Sequence, residues 1–165
     1  MSGARDQVMM FATLLGFWLL LNGSLATDVW LVGGVAAGVI TLLFRQGLSV
    51  AAQFRFNLRA LLTAPAYGLY FLKALVQSNL RLARIVLSPA LPITPGIVKV
   101  RTRLQSPMGR LLLANSITLT PGTLSVELDG EWLYVHWVTV ETEDIEAATA
   151  EIVAGFERYL EVMYG

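Results

Sequence analysis

The sequence predicts a membrane-anchored α+β protein: an apolar helical hairpin, a basic amphipathic helix, then a small domain of three strands and two helices. Three observations predict it. Of 165 residues, 55% are apolar and 15% charged, where a soluble domain is about a quarter charged; mean hydropathy is +0.61. Two apolar runs, residues 8–21 (VMMFATLLGFWLLL) and 29–44 (VWLVGGVAAGVITLLF), open the chain. Beyond Gly96 the pattern turns to alternating strands and an acid-rich amphipathic helix, as expected of a chain that meets water.

The net charge of zero conceals a segregation of sign. Residues 29–126 contain no acid, yet they carry Arg45, Arg55, Arg59, Lys73, Arg81, Arg84, Lys99, Arg101, Arg103 and Arg110. From Glu127 onward the only base is Arg158. A basic middle suits contact with anionic lipid. The absence of cysteine removes disulfides, thiolate metal sites and thiol nucleophiles. A single histidine, His136, argues against a histidine zinc site.

Residues 1–47 are expected to form the transmembrane hairpin, with spans at about 8–25 and 27–45. Crossing hydrocarbon takes about 20 helical residues, and the mostly uncharged linker NGSLATD extends both runs. Asn22-Gly23 supplies the turn. A cleaved signal peptide ending at Ser24-Leu25-Ala26 is the competing reading. Arg5 is offset by Asp6 and a second apolar run follows at once, which favours a retained hairpin. The turn lacks Lys and Arg, whereas Arg45, Arg55 and Arg59 follow the second span. The basic-residue bias therefore puts both termini in the cytoplasm. Gly34 and Gly38, one helical turn apart, offer a site for close helix packing. Neither run contains an ionisable residue, which argues against an ion path through this chain.

Residues 48–90 read as a basic loop and an amphipathic helix over 64–88 (APAYGLYFLKALVQSNLRLARIVLS). A third span would carry one basic cluster across the membrane, against the same bias. Lys73, Gln77, Arg81 and Arg84 recur along one helical stripe, which suits a helix lying at the membrane interface. The alternative is a spanning helix whose Lys73 pairs with a neighbouring protein of a complex.

SPALPITPG ends that helix and opens the last domain, residues 91–165. IVKVRTR alternates Val98 and Val100 against Lys99, Arg101 and Arg103, a half-buried strand. Ser106-Pro107 caps and begins a helix. TLSVELDGEWLYVHWV reads as a hairpin turning at Asp129-Gly130, with Val126 facing Leu133 and Leu124 facing Val135 on one apolar side. A final helix lines up Ile145, Ala148, Ile152, Phe156, Tyr159 and Met163. The order β-α-β-β-α suggests a truncated ferredoxin-like layer. The tripeptide Thr94-Pro95-Gly96 returns as Thr120-Pro121-Gly122, each ahead of a strand, and both fit type II turns. Asn115, Ser116, Thr118 and Thr120 suit helix-end capping better than a ligand site, for want of phosphate-loop glycines. His136 with Ser116 or Ser125 lacks the nucleophile elbow of a hydrolase. The last domain is not basic overall, so nucleic acid is a poor partner.

With LLLANSITLTPGTLSVELDGEWLYVHWV, FLKALVQSNLRLARIVLSP and ITPGIVKV in view, the chain resembles the E subunit of the bacterial Mrp-type (Mnh, Pha) multisubunit cation/proton antiporters. The resemblance covers almost the whole chain, the N-terminal hairpin matching in pattern more than in letters. It implies a small accessory component of a bacterial cytoplasmic-membrane complex that exchanges sodium or potassium for protons. The ion pathways would lie in large subunits related to the proton-pumping subunits of respiratory complex I. The family offers no catalytic residue, cofactor or metal ligand to carry over. Asn115, Thr118, Thr120, Pro121, Gly122 and Thr123 match its motif, with a structural role. The implied partners are other hydrophobic subunits and the lipid bilayer, with no small-molecule substrate. A free-standing membrane adaptor is the first alternative. A membrane-bound enzyme depending on His136 is the second.

Overall fold

The computed structural model describes residues 4–44 and 53–165. Two compact units divide at Phe54 and Arg55.

In the first unit, α1 (Ala4–Asn22) and α2 (Thr27–Leu43) form a hairpin. Asp6 and Asp28 lie in their first turns, where the helix dipole favours an acid. Gly23 takes φ +58 at the reversal, a conformation cheap only for glycine. The residues buried on α2 are Gly33, Ala37 and Thr41, four apart. Trp18 packs on this strip, its indole Nε1 donating to the Val29 carbonyl at 3.0 Å. A Cβ at Gly33 would overlap the indole. The close approach within the hairpin falls at Gly33, one residue before the Gly34–Gly38 pair offered for a partner helix. Gly34 faces open space, and a Cβ on Gly38 would only reach Phe11 at 4.0 Å. Among the described residues α1 is the helix long and apolar enough to cross a membrane. At 17 residues, α2 spans about 26 Å. Arg45 and the expected boundary at residues 47 and 48 lie outside the described residues.

The second unit opens with α3 (Leu58–Leu87), which starts six residues earlier than the expected 64. Asn57 caps it, its side chain accepting from the Ala60 amide at 2.7 Å. The helix stops before Ser88-Pro89, as the restricted residue before proline dictates. The boundary expected near residue 90 thus ends a helix without separating two bodies, because α3 belongs to the second unit.

There follow β1 (Gly96–Arg101), α4 (Pro107–Leu119), β2 (Thr123–Asp129), β3 (Trp132–Trp137), α5 (Ile145–Ile152) and α6 (Ala154–Tyr164). The sheet order is β1-β3-β2, with both pairings antiparallel. Val98, Val100, Leu133, Val135 and Trp137 point to the buried face, where Leu113, Ile117, Phe156 and Leu160 pack from the helices. Ser106 caps α4 by accepting from the Gly109 amide at 2.9 Å, with Pro107 in the first turn.

Three expectations are corrected here. The β2–β3 turn is Gly130-Glu131, since Asp129 pairs with Trp132 and Gly130 carries φ +57. A bulge between Ser125 and Glu127 then shifts the register again, so Ser125 faces Val135 and Thr123 faces Trp137. Leu124 and Val126, expected on the buried side, are exposed. The reason lies on another element: the inward positions of β2 are taken by hydroxyls that bond carbonyls of α4. Second, the final helix breaks at Val153. Ile152 and Val153, on either side of the break, are both buried. Third, Thr94-Pro95-Gly96 is not a type II turn. Gly96 is the first residue of β1 and lies outside the left-handed region. Thr94 instead bridges to Thr139, its carbonyl accepting from the Val140 amide at 2.9 Å. Glycine serves closeness there, since a Cβ on Gly96 would meet Val140 Cγ2 at 3.0 Å.

Candidate functional site

The last four carbonyls of a helix have no partner within it, and in the C-terminal half of α4 side-chain hydroxyls bond two of these, Ser116 and Ile117, together with the Ala114 carbonyl. Ser125 donates to the Ala114 carbonyl at 3.0 Å, and Thr120 donates to that of Ser116 at 2.6 Å. The Thr123 hydroxyl lies 2.7 Å from the Ile117 carbonyl and 2.9 Å from that of Thr120. In return Thr118 Oγ1 accepts from the Ser125 amide at 3.1 Å, occupying a donor on the free edge of β2. Thr120-Pro121-Gly122-Thr123 closes as a type II turn, with Gly122 at φ +100 and the Thr123 amide 3.2 Å from the Thr120 carbonyl. Thr118, Thr120, Pro121, Gly122 and Thr123 are thus brought together as a clasp between α4 and β2. Asn115 stands apart on the exposed side of α4.

The clasp reaches α3 through Ser116. Tyr67 and Ser116 share a hydroxyl–hydroxyl bond, while Ser116 donates to the Leu112 carbonyl at 2.7 Å. Burial raises the Tyr67 phenol above its ordinary pKa, an effect the Ser116 bond offsets in part. Burial raises Tyr164 as well, with a contribution from Tyr67. These phenols stay protonated at neutral pH and serve as hydrogen-bonding groups. One turn along, Tyr70 meets Phe156 edge-on at 5.2 Å between ring centres. Farther on, Arg81 pairs with Glu141 at 3.3 Å and Glu151 at 3.7 Å. A cleft of about 180 Å³ opens between α3 and the clasp, lined in part by Tyr70, Gln77, Arg81, Pro121, Trp137 and Phe156.

The structure divides the basic stripe. Arg81 turns to the acids of its own unit, whereas Lys73 and Arg84 are exposed and carry no ion pair among the described residues. The hydroxyls of Ser116 and Ser125 are committed to the clasp. His136 lies on the central strand between Ile97 and Leu124. No triad geometry forms around it among the described residues. Nor, among those residues, is any group of three His, Asp or Glu side chains placed to hold a metal ion.

Sequence reasoning missed Glu157. This buried carboxylate accepts from the Thr102 hydroxyl at 2.6 Å and the Arg103 amide at 2.7 Å. Arg103 adds an ion pair through Nε at 3.4 Å and a second to Glu161 at 3.3 Å. The bonds tie the end of β1 to α6. Lone acids on amphipathic helices usually face water, so spacing gave no signal for it.

A family described as Na+/H+ ion antiporter subunit matches residues 11–163. The chain is 32% identical to the Na+/H+ antiporter E subunit of Alkalihalophilus pseudofirmus over 154 residues, covering 92% of this chain and 94% of that one. It is 30% identical to the Na+/H+ antiporter E subunit of Bacillus subtilis over 157 residues, covering 94% and 96%. Among solved structures it is similar to a chain of the membrane-bound sulfane sulfur reductase, an archaeal respiratory membrane complex. That likeness has a TM-score of 0.82 at 34% identity, over 96% of this chain and 98% of that one. The chain belongs to the family of Na+/H+ antiporter E subunits, which is a family of transport subunits and not of enzymes.

Proposed function

We propose that this chain is an accessory subunit of a multisubunit Na+/H+ antiporter of the bacterial cytoplasmic membrane, which it assembles or stabilises without carrying an ion pathway. The observation that carries this reading is chemical. The apolar stretches of α1 and α2, residues 8–21 and 29–43, hold no ionisable side chain, and paths for ions or protons through a membrane depend on such groups at depth. Coupled exchange therefore belongs to neighbouring subunits.

The same reading makes the hairpin multi-pass, with both termini cytoplasmic. The lack of Lys and Arg in the turn and the basic residues after α2 support this. It takes the C-terminal half as a cytoplasmic domain of truncated ferredoxin-like topology, supported by the β1-β3-β2 order with helices against one face. Gly34, which the hairpin leaves free, and Gly38, which only comes within 4.0 Å of Phe11, are proposed as contacts for a helix of another subunit. Lys73 and Arg84 are proposed to face the membrane surface, and the clasp to have a structural role. The respiratory complex at TM-score 0.82 supports a second reading, in which the chain serves a respiratory membrane assembly.

The test is to tag the C-terminus, extract native membranes in mild detergent and identify what co-purifies. A set of large hydrophobic antiporter subunits is expected. Respiratory redox subunits would favour the second reading, and the chain alone or with one soluble partner would replace both with a free-standing adaptor. Vesicles lacking this chain but still exchanging Na+ for H+, at reduced complex yield, would fit the accessory role. An intact complex without exchange would overturn it.

A further inference from the structure

Helix α3 has an inner and an outer face, and they meet different surroundings. Its inner face is held by the rest of the unit from Ala60 to Arg81: Ala60 is fully buried, Tyr67 bonds Ser116, Tyr70 packs on Phe156, and Arg81 reaches Glu141. From Ala60 to Arg81 is about 32 Å of helix, roughly the thickness of a bilayer's hydrocarbon. Were α3 to cross the membrane, the elements packed along it would be drawn into hydrocarbon with their exposed acids, Glu141 and Glu151, at prohibitive cost.

On the outer face Leu61, Leu69, Leu72, Val76 and Leu80 follow helical spacing and are all more than half exposed. Arg59, Lys73 and Arg84 border this stripe on one flank, exposed and without an ion pair among the described residues. Neither α3 nor any other part of residues 29–126 carries an acid. A cationic flank beside a continuous apolar stripe is complementary to a layer with acyl chains below and anionic headgroups above.

We infer that α3 is a membrane-docking helix, lying parallel to the bilayer with its leucine stripe in the acyl boundary and Arg59, Lys73 and Arg84 on anionic phospholipid headgroups. The inference rests on the reading of the chain as membrane-anchored and does not depend on which complex it joins.

The chain lacks cysteine, so single nitroxide labels can be placed through Leu61→Cys, Leu72→Cys and Leu80→Cys. The full-length protein would be reconstituted in phosphatidylcholine nanodiscs with and without phosphatidylglycerol, and label depth read from collisions with oxygen and a nickel chelate. The expected result is one shared shallow depth at all three positions in phosphatidylglycerol discs. Lys73→Glu with Arg84→Glu should lower the docked population about fivefold per cation removed, leaving the fold intact because both side chains are exposed. Depth that rises toward the bilayer centre at Leu72 and falls at the ends would overturn the inference in favour of a span. Labels open to the nickel chelate in both lipids, or shielded from both reagents as under a protein partner, would overturn it too. Failure of the accessory role would appear instead in the co-purifying subunits, which this measurement does not read.

Discussion

In the first unit the buried residues are among the smallest, Gly33, Ala37 and Thr41, while Leu20 stands 82% exposed and Leu43 74%. In the second unit the order is reversed: Leu104, Leu113, Leu133 and Leu160 are fully buried, and charge lies mostly outside. Water drives large apolar groups inward in proportion to the area they hide. Between helices in lipid that drive vanishes, and small residues that let backbones approach take the contact. The interior of the first unit thus has the residue types of helices that pack in lipid, and the interior of the second those of a fold closed by water.

Leucine truncation breaks the comparison most directly. Leu133→Ala leaves a cavity under the central strand and should cost about 2–5 kcal/mol. Leu20→Ala removes a side chain with no protein interior around it and should stay within about 0.5 kcal/mol. Unfolding of the detergent-solubilised chain, followed through the strand tryptophans Trp132 and Trp137, reads the first. Loss of hairpin helicity reads the second. A loss above about 1 kcal/mol for Leu20→Ala would show that α1 packs against protein rather than lipid.

A buried charge in the second unit sharpens the contrast. Glu157→Ala strands the Thr102 hydroxyl and the Arg103 amide, an expected loss of about 3 kcal/mol. In Glu157→Gln the amide oxygen still accepts from both, and only the ion pair with the exposed Arg103 disappears, so about 1 kcal/mol should go. Equal losses from the two variants would shift the role from hydrogen-bond acceptance to charge.

The sequence carried these features unequally. Apolar periodicity made the helices and strands readable, Ser106-Pro107 announced the start of α4, and Thr120-Pro121-Gly122 its type II turn, because each signal sits within a few residues of its effect. The β2 register depends on distant groups. Alternation puts Leu124 and Val126 inside, but Thr123 and Ser125 turn inward to bond carbonyls of α4, and one bulge exchanges the faces. The burial of Glu157 is likewise set by distant groups, the Thr102 hydroxyl and the Arg103 amide at the end of β1. At the clasp, the residue types were legible and their partners were not: nothing near Ser116 in sequence points to Tyr67, 49 residues away.

The last contrast lies inside the hairpin. Gly33 and Gly34 are adjacent and chemically identical, yet a side chain at Gly33 would overlap the Trp18 indole whereas one at Gly34 would meet nothing within 4 Å. Gly33→Val should therefore force α1 and α2 apart at a cost of about 2 kcal/mol, the usual scale of overpacking. Gly34→Val should leave the hairpin closed. Introduced thiols at Phe11→Cys and Gly38→Cys, on facing sides of the two helices, give the readout through the yield of a short thiol cross-linker. A severalfold fall with Gly33→Val and no change with Gly34→Val is expected in the isolated chain. If Gly34→Val instead lowers the recovery of co-purifying subunits while cross-linking is unaffected, the two glycines serve different neighbours. Gly33 then holds the partner within the chain, and Gly34 one outside it.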